Sequence, residues 1–109
     1  MSSSGTMRGI SVKQPETLFK EKVLRLLAQV PRCHVIKIQQ VCKVGDPDII
    51  MCVAGRFVAW ELKVGKNRAT KLQQYILDQI RASGGIAEVV TPDSLDQHLA
   101  ALNRPTTAQ

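Results

Sequence analysis

The chain reads as an α/β domain, a mixed four-stranded sheet flanked by helices in the order α-β-β-β-α-β-α. Two amphipathic runs predict it, together with three β-rich stretches between them and a fourth after the second run. In PETLFKEKVLRLLAQV, residues 15–30, Leu18, Phe19, Val23, Leu26, Leu27 and Val30 recur at helical spacing. Pro15 suits a first-turn position, where a backbone N–H would have no partner inside the helix. Pro31 stops this helix. HVIKIQQV, residues 34–41, is rich enough in β-branched residues for a first strand, and CKVGDP turns the chain into DIIMCVA, residues 48–54, a second. Gly55 and Arg56 separate it from a third, FVAWELKV, residues 57–64. After the basic loop GKNRATK, a helix runs from Thr70 through LQQYILDQIRAS, with Leu72, Ile76, Leu77 and Ile80 turned inward and Gly84 and Gly85 ending it. IAEVV, residues 86–90, is the fourth strand, and TPDSLDQHLAAL the last helix, with Thr91 as cap and Pro92 in its first turn.

A length of 109 residues with 44% hydrophobic content fits one small domain, spanning residues 14–103. Residues 1–13 read as a flexible arm and 104–109 as a loose tail. No apolar run approaches the roughly 20 residues of a membrane-spanning helix, so no membrane partner is expected. The start, MSSSGTMRGI, lacks the basic and long apolar regions of a secretory signal, and a cytoplasmic location is expected. Cys33, Cys42 and Cys52 form no CxxC pair and are expected as reduced thiols. Cys33 and His34 are adjacent on a strand and point to opposite faces, which argues against their gathering with Cys42 around a metal. A net charge of +6 points toward a polyanionic partner, nucleic acid before anionic membrane.

The hairpin GDPDIIMCVAGRFVAWELK, residues 45–63, carries charge where its strands begin and end. With a turn at Gly55 and Arg56, Asp48 sits opposite Lys63, and side-chain alternation puts Asp48, Glu61 and Lys63 on one face. Diagonal neighbours in such a pair lie roughly 7 Å apart, within reach of one shared ion. A register shifted by one residue would send Asp48 to the other face. The same charges also permit a plain Asp48–Lys63 cross-strand salt bridge with Glu61 exposed.

Pro47-Asp48 followed by Glu61-Leu62-Lys63 resembles the PD-(D/E)xK nuclease signature. The surrounding PETLFKEKVLRLL, VGDPDIIMC, GRFVAWELKVG and TKLQQYILDQIRASGGIAEVV resemble the VRR-NUC branch, over residues 14–91. One departure is QQVCKVGDPD, which lacks the His often found after the strand lysine. The resemblance implies a restriction-endonuclease-like core, Mg2+- or Mn2+-dependent hydrolysis of DNA phosphodiesters and, for small stand-alone members, resolution of four-way (Holliday) junctions as homodimers. A flap or splayed-duplex nuclease of the same fold and a non-catalytic nucleic-acid-binding module are the alternatives.

The resemblance also implies residue roles. Asp48 and Glu61 would ligate the metal, with the backbone carbonyl of Leu62 as a third oxygen and Glu16 acting directly or through water. Lys63 would hold the attacking water and offset transition-state charge. Glu16 otherwise serves the N-terminus of the first helix, and Gln73 otherwise completes a Thr70–Gln73 capping box; the resemblance turns both toward catalysis. Lys37, Lys43, Lys66, Arg68 and Lys71 would contact DNA phosphates. Trp60, at an inward strand position, is expected in the core rather than stacked on bases.

Overall fold

A computed structural model describes residues 14–37 and 45–103, with Lys37 described by its backbone alone. The expected flexible arm and loose tail, together with Cys42 and Lys43, lie outside the described residues. Three helices and four strands occur among those described: α1 (Pro15–Leu27), β1 (Cys33–Lys37), β2 (Ile49–Val53), β3 (Arg56–Leu62), α2 (Lys71–Ala82), β4 (Ile86–Val90) and α3 (Leu95–Asn103). The sheet is mixed, in the order β1-β2-β3-β4, with β1, β2 and β3 antiparallel and β4 parallel to β3. The predicted class and element order are those of the structure.

Alternation along β2 and β3 gives the sheet two apolar faces. Ile49, Met51, Val53, Val58 and Trp60 pack with Phe19, Val23 and Leu27 of α1 and with Leu95 and Leu102 of α3. Ala59 and Ala87 pack on the opposite face with Leu77 of α2 and with the partly buried Ile50, Ile80 and Val89. A central strand covered on both sides needs this near-continuous apolar sequence. Trp60 is core, 1% exposed, with its ring edge-on to His98 at a centroid distance of 5.9 Å. Cys33 lies against Met51, with its thiol Sγ 3.9 Å from the thioether sulfur, while His34 is exposed. Among the described residues no group of three metal-ligating side chains forms, and no helix is long and apolar enough to cross a membrane.

Three details correct the sequence-based expectation. The β2–β3 turn is Ala54-Gly55, both with positive φ (50° and 85°), so Val53 pairs with Arg56 and Ile49 with Trp60. That is a primed two-residue turn, whose twist matches that of the strands it joins. An alanine in that region costs roughly 1–2 kcal/mol; here its N–H donates to the Arg32 carbonyl at 2.8 Å. The register differs by two residues from the one expected, so face sharing is preserved while the opposing partners change. On α2, Leu77 is the single buried residue, and Leu72 is 43% exposed rather than inward. Thr91 and Ser94 exchange capping-box bonds, Ser94 N–H to Thr91 Oγ1 at 3.2 Å and Thr91 N–H to Ser94 Oγ at 3.0 Å, yet regular helix begins only at Leu95.

Since Leu77 is the fully buried residue by which α2 enters the core, Leu77→Ala is expected to cost about 2–5 kcal/mol of unfolding free energy. Urea denaturation followed by Trp60 fluorescence measures it; a loss under about 1 kcal/mol would contradict this anchoring role.

Candidate functional site

β2 begins where the chain leaves the Gly45–Asp48 turn, and the last Cα pair of its ladder with β3 is Ile49–Trp60. Continuing that register sets Asp48 opposite Glu61, not Lys63. Beyond the ladder, the Leu62 N–H donates to Asp48 Oδ2 at 2.9 Å, a carboxylate taking the place of a strand carbonyl. On the other side of β3, the Lys63 N–H donates to the Val90 carbonyl at 3.0 Å. The end of β3 is thus held from both neighbours, which makes a rigid base for the side chains of residues 61 and 63.

Glu61 is 3% exposed and is the buried charged residue of the described core. Its Oε2 lies 3.3 Å from Lys63 Nζ, so the salt bridge runs along the strand and not across to Asp48 as the simplest alternative had it. Its Oε1 is buried and receives no N–H or O–H from the described residues; what it faces is the Asp48 carboxyl, with which only a protonated Glu61 can share a hydrogen bond. Burial, and then the neighbouring Asp48 carboxylate, push the Glu61 carboxyl up to about 7 against the opposing pull of the Lys63 ammonium. Two carboxylates facing each other with one ammonium are under-neutralised, a condition that a hard divalent cation relieves.

These residues form the floor of a cleft of about 370 Å³. Its walls bring together all five expected catalytic residues: Glu16 from α1, Asp48 before β2, Glu61 on β3, Lys63 just past it, and Gln73 from α2. Leu62 lines the cleft too, although the contact seen there is made by its N–H rather than its carbonyl. Gln73 lines the cleft and also forms the expected capping box. Its Oε1 accepts the Thr70 N–H at 2.8 Å while its own N–H donates to Thr70 Oγ1 at 3.1 Å, a complete capping box. Since the backbone N–H can only donate, oxygen is the capping atom, and only the amide NH2 of Gln73 is left to serve the cleft.

Glu16 is exposed in the first turn of α1 and does not join Asp48 and Glu61 in a three-ligand group. The donor set still fits Mg2+ or Mn2+, since such an ion commonly binds through one or two carboxylates and fills its shell with water and substrate phosphate. An orphaned buried carboxylate oxygen beside a second carboxylate offers the hard oxygen ligands this requires.

Lys66 and Arg68 are exposed on the loop after β3 and line a second pocket beside the cleft, and Lys71 is exposed at the start of α2. Lys37 ends β1 opposite Ile49. Thr17 and Lys20 of α1 also line the cleft and are missed in the sequence; the spacing of Lys20 from Glu16, one helical turn, is the signal that finds it, and Thr17, adjacent to Glu16, carries none.

Comparison with protein families, curated proteins and solved structures finds no match. The chemistry of the cleft therefore rests on its own residues.

The elevated Glu61 pKa makes stability pH-dependent. Between its ordinary range near 4.5 and about 7 the folded chain holds a proton that the unfolded chain has released. This stabilisation is complete below pH 4.5 and is lost as pH rises through 7, and it amounts to about 3 kcal/mol. In chelator-containing buffer, Glu61→Gln is expected to flatten the decline between pH 5 and pH 8 and to exceed the parent in stability at pH 8. Parallel denaturation curves for the two proteins across that range would refute it.

Proposed function

We propose that the chain is a Mg2+- or Mn2+-dependent endonuclease that hydrolyses DNA phosphodiesters, a VRR-NUC-like member of the PD-(D/E)xK group with a restriction-endonuclease-like core. The observation that carries this is the convergence of Glu16, Asp48, Glu61, Lys63 and Gln73 on one cleft, with a buried Glu61 oxygen that receives no N–H or O–H from the described residues. Burying the Glu61 carboxylate against a second, partly buried one is costly for a fold that gains nothing from them.

Asp48 and Glu61 would hold the cation. When bound, it supplies positive charge to the scissile phosphate and lowers the pKa of water. Lys63, partly exposed and tethered to Glu61 at 3.3 Å, is a point charge positioned to orient the attacking water and to offset charge developing on phosphate oxygens. The Gln73 amide is a donor for a phosphate oxygen, held in place by the capping box. Water attacks phosphorus directly, with no covalent enzyme intermediate. Lys66, Arg68 and Lys71, together with Lys37 and Lys43, would grip flanking phosphates, in keeping with the +6 charge.

A four-way junction is the preferred substrate. Its resolution needs two symmetric cuts, and one cleft per chain makes a two-fold homodimer the species that performs it.

End-labelled four-way junction, flap and duplex DNA, incubated with Mg2+ or Mn2+, test this directly. Paired symmetric nicks at the junction are expected, and Asp48→Asn is expected to abolish them while leaving folding and junction binding intact. Flap cutting alone would discard the junction role, cutting by Asp48→Asn would discard the site, and no cutting in either metal would leave a DNA-binding module. Lys66→Ala and Arg68→Ala are each expected to reduce the salt dependence of binding by about one unit of log–log slope; an unchanged slope removes that residue from the DNA track.

A further inference from the structure

Beside the catalytic cleft lies a second pocket, of about 330 Å³, whose walls are Lys66, Asn67, Arg68, Gln74, Val89 and Thr91. It adjoins the cleft at two places. Val64 belongs to the cleft and Gly65 to the pocket, and along α2 Gln73 belongs to the cleft and Gln74 to the pocket. Val89 on β4 is also the register partner of Glu61 on β3, so a residue of the pocket lies on the strand next to the one that carries the Glu61 carboxylate. Register partners share a face, and Val89 packs with the α2-side cluster, so the pocket lies on the face of the sheet from which Glu61 projects.

The lining has the chemistry of a nucleotide site. Lys66 and Arg68 are cations for a phosphate, and Asn67 and Gln74 each carry a donor and an acceptor, the combination a base edge requires. Val89 offers an apolar surface to a ring. The backbone of the loop turns on the Asn67 N–H, which donates to the Val64 carbonyl at 3.1 Å, and Thr91 is bonded to Ser94. The volume is near the lower end for ligand pockets, about 300 Å³, the scale of a single small ligand rather than a stacked duplex.

We propose that this pocket takes one unstacked nucleotide of the bound strand, next to the scissile phosphate, and so selects branched over continuous DNA. The inference rests on the nuclease function proposed above for its setting. In a continuous duplex every base is stacked and paired, and filling the pocket costs unstacking; at a branch point or a splayed end the base is already free to turn out. Selectivity for branched DNA then follows from the energy of the DNA.

The test uses 2-aminopurine, whose fluorescence rises on unstacking, placed at successive positions flanking the branch of a four-way junction and in matched duplex. With the full chain carrying Asp48→Asn, binding is expected to raise the signal at one position beside the branch. Adding Asn67→Ala and Gln74→Ala is expected to abolish that rise and weaken junction binding about tenfold, the loss of one polar base contact, with thermal unfolding unchanged. No rise at any position in a complex verified by anisotropy would overturn the proposal, as would a rise that survives the double substitution. Failure of the parent chain to cut any DNA would defeat the nuclease function alone, because the fluorescence still reports the pocket; absence of DNA binding would defeat both.

Discussion

The register of β2 against β3 is the constraint on which the cleft depends. Two positive-φ residues, Ala54 and Gly55, close the hairpin in the shortest available turn, and each pair along the ladder follows from that closure. Asp48 thereby comes to face Glu61 at the open end, where its carboxylate takes the Leu62 N–H and completes the edge that the backbone of β2 leaves unfinished. One added residue in the turn would carry Asp48 to the α1 side and leave Glu61 facing α2 alone. The placement of β4 matters equally. Its parallel pairing holds the Lys63 backbone and sets Val89 beside Glu61, so one strand supports both the cleft and its neighbouring pocket.

Glu61 is held in an unfavourable electrostatic state by the elements that stabilise everything around it. Ala59 and Trp60, immediately before it, are fully buried on opposite faces of the sheet, and the strand that carries them cannot release its next residue to solvent. The apolar core thus enforces the burial of a carboxylate that would be more stable exposed, and Asp48 adds like charge. Lys63 neutralises one oxygen and not the other. Strain of this kind concentrates where a protein prepares for a charged ligand, and a cation between the two carboxylates would offset it.

Much of this was legible in the sequence, for identifiable reasons. Element order followed from periodicity, since α1 and α2 carry helical stripes and β2 and β3 carry apolar residues on both faces. The shared face of Asp48, Glu61 and Lys63 was legible because strand alternation survives a register error of two residues. The register itself was not: Ala54 has no intrinsic preference for positive φ, and what favours it there is a bond to Arg32, more than twenty residues away in the chain. Leu72 departs from the inward stripe because it lies over Gly45 in the turn before β2 rather than on the sheet beneath Leu77 and Ile80, and it stays 43% exposed. The second pocket was invisible for a different reason. Asn67, Gln74 and Thr91 come from a loop, a helix and a strand end, and polar residues so placed carry no periodic signal.

The double engagement of Gln73 ties the chemistry of the cleft to the fraying of a helix end. Its side-chain oxygen secures the Thr70 amide, so any opening of the first turn of α2 releases that amide to solvent and withdraws the Gln73 side chain from the cleft in the same event. Hydrogen exchange at Thr70 is therefore a direct gauge of how often the cleft is complete. A phosphate oxygen that engages the Gln73 amide would slow that exchange, which makes the start of α2 a local unfolding unit whose stability is set by occupancy of the cleft.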